Sequence, residues 1–359
     1  MKRWLAGVAL GVSIVGCELV LDYEPFPDDG GTTSGGLCRL YDADPGDCAG
    51  SFRDCNGDDG DGCETDVATA AGHCGYCGHA CDDGCDTGLC TLELLGTSQA
   101  LPIAVYGVHR DTVYFTLSDV HTGITALSLR DGGETVIPAF GVDSHLAFDG
   151  DFLYATGFES DLCQGGVGWC AIAVPVGSTT PSVIALVGDY PSGIATTDAS
   201  VFIADGDAGG RVARVPKVGG NLTPVATGLG EARDLRGTPG WVYWGTGAGL
   251  MRASDDGVTV ETLNADDVSA VATHGDDVFW AAGGRISTMS GVLVEGVGPV
   301  TWLGATDDYL YWIADDLYRF VRCETGAPEV IGPPGVAAVS DSHVYLTAEA
   351  GTRPARRQH

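Results

Sequence analysis

Cysteines, a loop of near-alternate acids and a few carboxylates in turns are the residues of this 359-residue chain that can do chemistry. Of its 13 cysteines, nine fall between 37 and 91: Cys38, Cys48, Cys55, Cys63, Cys74, Cys77, Cys81, Cys85 and Cys90. So cysteine-rich a stretch carries too few apolar side chains to be held by burial, so disulfides must hold it, each contributing roughly 2–4 kcal/mol. Setting Cys17 aside leaves an even number, as expected where cysteines are oxidised in pairs. Cys163 and Cys170 are near enough to close a small loop, which leaves Cys323 with one partner from the odd nine. Cys90, the last cysteine before the remainder of the chain, is the expected partner, although spacing alone does not deduce connectivity. Such a bridge would tie the two parts of the protein together.

Within the same stretch, Asp54, Asn56, Asp58, Asp61 and Glu64 place oxygen atoms at near-alternate positions with glycines between them. A loop of this kind wraps a hard cation such as calcium. The pattern departs from an EF-hand, because Asp59 stands where the sixth-position glycine belongs and the last Glu comes one residue early. A solvated acidic loop is the plainer reading, and no other cofactor is called for. Zinc on Cys74, Cys77, Cys81 and a histidine conflicts with an oxidising compartment. Covalent haem attachment fails because Gly78 separates Cys77 from His79.

The compartment is written at the N-terminus. Lys2 and Arg3 precede an apolar run from Trp4 to Val15, too short for a mature membrane span and suited to an export signal. The run ends in Ile14-Val15-Gly16-Cys17, which resembles the lipobox of bacterial lipoproteins. The resemblance implies cleavage after residue 16 and acylation of Cys17, with an envelope location, the outer membrane favoured. Residues 17 to 36, acidic and rich in glycine, read as a flexible tether. The stretch from Asp54 to Cys81 resembles a cysteine-rich repeat of myxobacterial envelope proteins, and Cys74 to Cys90 resembles the modules of stigma-specific proteins. Neither resemblance implies a chemistry.

From residue 92 to 350 one grammar recurs: a short apolar strand, a polar turn, a strand with a central aromatic, a third strand, a glycine turn and a fourth strand. The central aromatics are Tyr114, Tyr154, Phe202, Tyr243, Phe279, Tyr311 and Tyr345, at intervals of 40, 48, 41, 36, 32 and 34 residues. Spacing of that size marks a structural repeat, and one aromatic per repeat marks packing between repeats. The fold class is therefore all-β, and the repeats resemble a seven-bladed β-propeller, with six blades as the alternative, of the group that includes NHL, TolB-like and gluconolactonase-like proteins. Thr91 to Leu95 is expected to supply an outer strand that closes the ring, and residues 351 to 359 are expected to form a tail.

The formal charge of −31 opposes a nucleic acid partner. Arginines outnumber lysines sixteen to two. Loops carry function on a repeat scaffold, and the longest interval holds the Cys163 to Cys170 insertion. Asp119 and His121, Glu159 and Asp161, and Asp205 and Asp207 fall in successive connections between second and third strands, where they can converge beside the channel. The innermost strands offer only Asp234, Arg236, His145 and His274, and no serine-histidine-aspartate order or zinc motif occurs. The chain thus reads as a monomeric, lipid-anchored scaffold that binds a protein, peptide or glycan on one propeller face. A hydrolase or lyase of gluconolactonase type is the alternative, and an envelope spacer the third reading.

Overall fold

The computed structural model describes residues 48–56, 62–75, 77–78, 80–81, 84–91, 93–94, 102–117, 123–138, 146–158, 163, 168–188, 190–206, 209–307, 309–322, 328–332, 334, 337–340, 343–347 and 354–358. The chain divides into two units, Met1–Ser34 and Gly35–His359, and every described residue belongs to the second. Cys17, and with it the expected lipid anchor and tether, lies outside the described residues.

Apolar, β-branched and aromatic runs three to five residues long, punctuated by Asp and Gly turns, fold into seven four-stranded antiparallel sheets. Six are consecutive meanders. The first blade comprises Pro102–His109, Thr112–Leu117, Gly123–Ser128 and Glu134–Pro138. The second comprises Leu146–Phe148, Phe152–Phe158, Trp169–Pro175 and Ser182–Val187. The third comprises Pro191–Thr196, Ser200–Asp205, Arg211–Pro216 and Thr223–Thr227. The fourth comprises Arg233–Thr238, Trp241–Thr246, Gly249–Ser254 and Val260–Asn264. The fifth comprises Val268–His274, Asp277–Ala282, Arg285–Thr288 and Gly291–Glu295. The sixth comprises Trp302–Ala305, Tyr309–Ile313, Leu317–Val321 and Glu329–Gly332.

The seventh sheet is composite. Ala337–Val339, His343–Thr347 and Pro354–Gln358 provide three strands, and Glu93–Leu94, from the other end of the repeats, adds the fourth. Leu94 opposes Ala355 and Glu93 opposes Arg356. The end of the chain, expected as a tail, is thus corrected to a strand pairing residue for residue with His343–Thr347. Its Pro-Ala-Arg-Arg-Gln sequence has little strand propensity of its own, and the unpaired edge of the last blade decides its conformation.

Every seam between neighbouring blades holds an apolar cluster. Tyr114 packs towards Leu153 and Ile172 across the first seam, and Phe202 towards Leu235 and Trp244 across the third. Phe279 meets Leu303 and Trp312, and Val113 and Phe115 meet Ala338 and Tyr345 where the ring closes. All seven central aromatics are buried, as are Trp244, Trp280 and Trp312 on the opposite strand face. Alternation along a strand sends consecutive side chains to opposite seams, so a Tyr-Trp or Phe-Trp pair fills two seams at once. In five blades the third-to-fourth-strand ladder shifts register, as at Ala171/Ile172 and Val212/Ala213. Bulges of this kind increase strand twist.

The cysteine-rich module carries two small ladders, Phe52–Arg53 with Thr65–Asp66 and Cys85–Asp86 with Leu89–Cys90. Its bridges are Cys48–Cys63, Cys55–Cys77, Cys74–Cys85 and Cys81–Cys90. The expected Cys90–Cys323 bridge is therefore corrected: the Cys85–Cys90 hairpin places Cys90 beside Cys81. Cys323 lies outside the described residues. The module meets the propeller instead through Leu89, which packs with Tyr309, Tyr311, Val339 and Val344.

Candidate functional site

One polar position, five residues before each central aromatic, rings the face formed by the turns between first and second strands. Its occupants are His109, Asp149, Thr197, Thr238, His274, Thr306 and Ser340. At Thr306 and Ser340 the hydroxyl oxygen accepts the N–H three residues on, at 3.1 and 3.2 Å, which tightens the turn. His109 and His274 reach the next blade, at Gly150 O (3.2 Å) and Asp307 Oδ1 (2.9 Å).

In the second blade the position holds a carboxylate, and the surroundings change to suit it. Asp149 Oδ1 accepts the N–H groups of Phe152 (2.9 Å) and Asp151 (3.2 Å). Its Oδ2 accepts the Tyr154 hydroxyl at 2.9 Å and pairs with Lys217 Nζ at 2.8 Å. Lys217 comes from the turn after the third strand of the third blade, so the pair bridges two blades. The same ammonium lies 5.9 Å from the centre of the Tyr154 ring. Burial pushes the Asp149 carboxyl up, but the ammonium, the Phe152 N–H and the phenol outweigh it and hold it below the usual range. Burial first, and Asp149 second, push the Tyr154 phenol well above its ordinary value.

These groups line a cavity of about 660 Å³ shared by the second, third and fourth blades. Phe152, Thr196, Asp198, Val218, Gly237, Thr238 and Pro239 complete its wall with Asp151 and Thr197. Thr197 is tied to Asp255 of the fourth blade, and Thr196 Oγ1 donates to Phe148 O at 3.1 Å. Thr238 differs from its counterparts: it is only 7% exposed, lines the cavity, and its hydroxyl makes no hydrogen bond within the described residues. Asp198 is exposed on the rim, and Asp151 lies 3.7 Å from Arg110.

This face is opposite to the one expected from loop length. Of the residues placed there, Asp119, His121, Glu159, Asp161 and Asp207 lie outside the described residues. Asp205 is buried and gripped by Arg211, Nε to Oδ1 at 3.1 Å and Nη2 to Oδ2 at 2.5 Å, which makes it the pin of its hairpin and corrects its reading as a ligand group. Cys163 and Cys170 are joined and buried against the seam between the first and second blades. In the channel, Asp234 adopts φ 49°, accepts Val271 N–H across a seam at 3.3 Å and pairs with Arg236 at 3.3 Å. His145 lies outside the described residues.

Of the acidic loop, Asp54, Asn56 and Glu64 are described, whereas Asp58 and Asp61 are not. Glu64 Oε1 accepts Cys55 N–H at 2.9 Å and the Thr65 hydroxyl at 3.0 Å, so it staples the loop ends together. Hydrogen bonds from its own N–H and that of Cys55 lower its pKa. The sulphurs of Cys74, Cys81 and Cys90 crowd together, but as members of two disulfides they are not thiolate ligands.

No protein-family model matches the chain, and a search of curated proteins finds no match. Solved structures do match its shape. An oligogalacturonate lyase in complex with manganese superimposes with TM-score 0.55 and 10% identity, over 75% of this chain and 96% of that one. The WD40 β-propeller domain of Doa1 gives 0.54 and 14%, over 76% and 96%. YCF48 bound to D1 peptide gives 0.51 and 14%, over 75% and 94%. The fold is a β-propeller. At these identities the likeness extends to the fold alone. The position five residues before each aromatic was legible once the repeats were aligned, yet its mixture of His, Asp, Thr and Ser concealed it.

Proposed function

We propose that the chain is a non-catalytic binding propeller whose cavity, walled by Asp149, Lys217 and Thr238, seats a segment of a protein or peptide partner. The observation that carries this reading is the state of the titratable groups in the wall. Asp149 is held charged by four donors, and Tyr154 is held protonated by burial and by Asp149. Neither is poised to exchange a proton near neutral pH, as general acid–base catalysis requires. An unpaired hydroxyl, an exposed carboxylate and the Phe152 ring are what a binding pocket presents instead. The shared fold with YCF48, solved with a peptide bound, agrees with such use of a propeller.

The anchor belongs to the same proposal. Acylation of Cys17 would hold the propeller at the envelope, because each buried methylene contributes about 0.8 kcal/mol. Replacement by serine should move the protein from the membrane to the soluble fraction, and retention in the membrane would refute the anchor. For the cavity, peptide and glycan arrays are probed with the detergent-solubilised full chain and with Val218→Trp. Val218 is exposed on the rim, so the larger side chain fills the mouth without disturbing the core. Peptide binding that the Trp variant loses supports the reading; equal binding by both proteins, or turnover of an array glycan, refutes it.

A further inference from the structure

We infer that the group this cavity recognises is a cationic side chain, arginine or lysine, carried on a peptide; the inference rests on the binding reading above. Three carboxylates, Asp149, Asp151 and Asp198, share the wall with one ammonium, that of Lys217. The resulting field attracts cations and repels anionic ligands.

Lys217 shows how a cation is held here. Apart from Lys2 it is the chain's only lysine. It is four-fifths buried, with a carboxylate oxygen at 2.8 Å and the centre of the Tyr154 ring at 5.9 Å. It is an internal occupant of the deepest carboxylate, and Arg110 lies 3.7 Å from Asp151, which leaves Asp198 on the rim for a guest. Thr238 supplies an independent sign of that guest. It is buried, lines the cavity and is the described member of its ring whose hydroxyl has no partner. Its oxygen, bonded to no described group and lining the cavity, is free to accept a ligand N–H. A guanidinium, with five donors in a plane, can reach the Thr238 oxygen and a rim carboxylate together, while the exposed Phe152 ring covers its stem.

The experiment uses the full chain in detergent with three synthetic nonapeptides, identical except for a central Arg, citrulline or Glu, and reads affinity by calorimetry. Acetylation of Lys217 by an amine reagent, mapped by mass spectrometry, reports occupancy in parallel. The Arg peptide should bind about tenfold more tightly than its citrulline twin and protect Lys217. Asp198→Asn, at an exposed residue whose loss leaves the fold intact, should weaken Arg-peptide binding about fivefold. Lys217→Gln should strengthen it about threefold by removing the internal competitor. Asp315→Asn, on the opposite face, should change nothing and so excludes attraction by overall charge. Equal binding of Arg and citrulline peptides, or preference for Glu, overturns the cation and leaves the cavity reading standing if Val218→Trp abolishes that binding. If no peptide binds, or if Val218→Trp changes nothing, the cavity reading itself falls.

Discussion

Replacing Asp149 by asparagine tests whether one carboxylate locks the second blade to the third. The native side chain accepts four hydrogen bonds, two from the turn backbone and two from Tyr154 and Lys217. An amide keeps one oxygen, so it can serve one of these pairs, and its NH₂ group then faces the donors of the other. Hydrogen bonds to a charged group contribute about 1.5–3 kcal/mol each. Two are lost, and water reaching the cavity rim offsets about half, which leaves roughly 1.5–3 kcal/mol of destabilisation. At about 2–4 °C per kcal/mol for a domain of this size, the melting midpoint should fall by about 3–12 °C at pH 7. The pH dependence follows from the lowered pKa of Asp149. A carboxyl held below its unfolded value adds stability above that value, near 3.9, and loses it as pH falls through the folded value. The gap between the proteins should therefore be full at pH 7 and narrower at about pH 3, closing further as the pH falls through the folded value. Calorimetric melts at both pH values check this. A gap below about 2 °C at pH 7, or one unchanged at pH 3, would refute the lock.

Four further outcomes are expected. Replacing both Cys163 and Cys170 by serine should cost about 2.5 kcal/mol, the loop-closure entropy of so short a ring, seen as a lower midpoint. Non-reducing peptide mapping should recover Cys81 linked to Cys90, and a Cys90–Cys323 peptide would show the module to be tied differently. A methyl group at Gly237 would lie 1.7 Å from Thr196 O of the neighbouring blade, whereas one at Gly240 meets nothing within 4 Å but sits at φ 77°. Gly237→Ala should therefore cost above about 3 kcal/mol, and Gly240→Ala about 1–2 kcal/mol, measured by denaturant unfolding. Calcium should leave the midpoint within about 1 °C of that in chelator, because Glu64 already closes the loop through Cys55 N–H; a rise of several degrees would make Asp54, Asn56, Asp58, Asp61 and Glu64 an ion site.

Much of the architecture was legible because a repeat writes itself once per blade. The buried aromatics from Tyr114 to Tyr345 recur at one strand position, and packing between blades leaves no other residue type there. The part played by Thr91 to Leu95 was legible for a related reason, since an open ring needs an outer strand and the Glu93–Leu94 stretch precedes the first repeat. The site was not legible in this way. Loop length pointed to the connections holding Asp119, Glu159 and Asp205, but Asp205 is an internal ion-pair partner of Arg211. Lys217 and Asp149 are 68 positions apart, taking 149 from 217, and nothing local to either announces the other.

Composition and periodicity by themselves determined an all-β repeat ring behind a disulfide-rich module, because burying an aromatic every few dozen residues and oxidising clustered cysteines are local requirements. Only the tertiary structure decided which cysteine meets which, that Pro354–Gln358 becomes a strand, and that Asp149, Thr197, Thr238 and Lys217 from three blades enclose one cavity. Each of these depends on the closure of the ring. Closure brings distant turns side by side at a separation set by the packing of the seams, and spacing along a chain does not encode that distance.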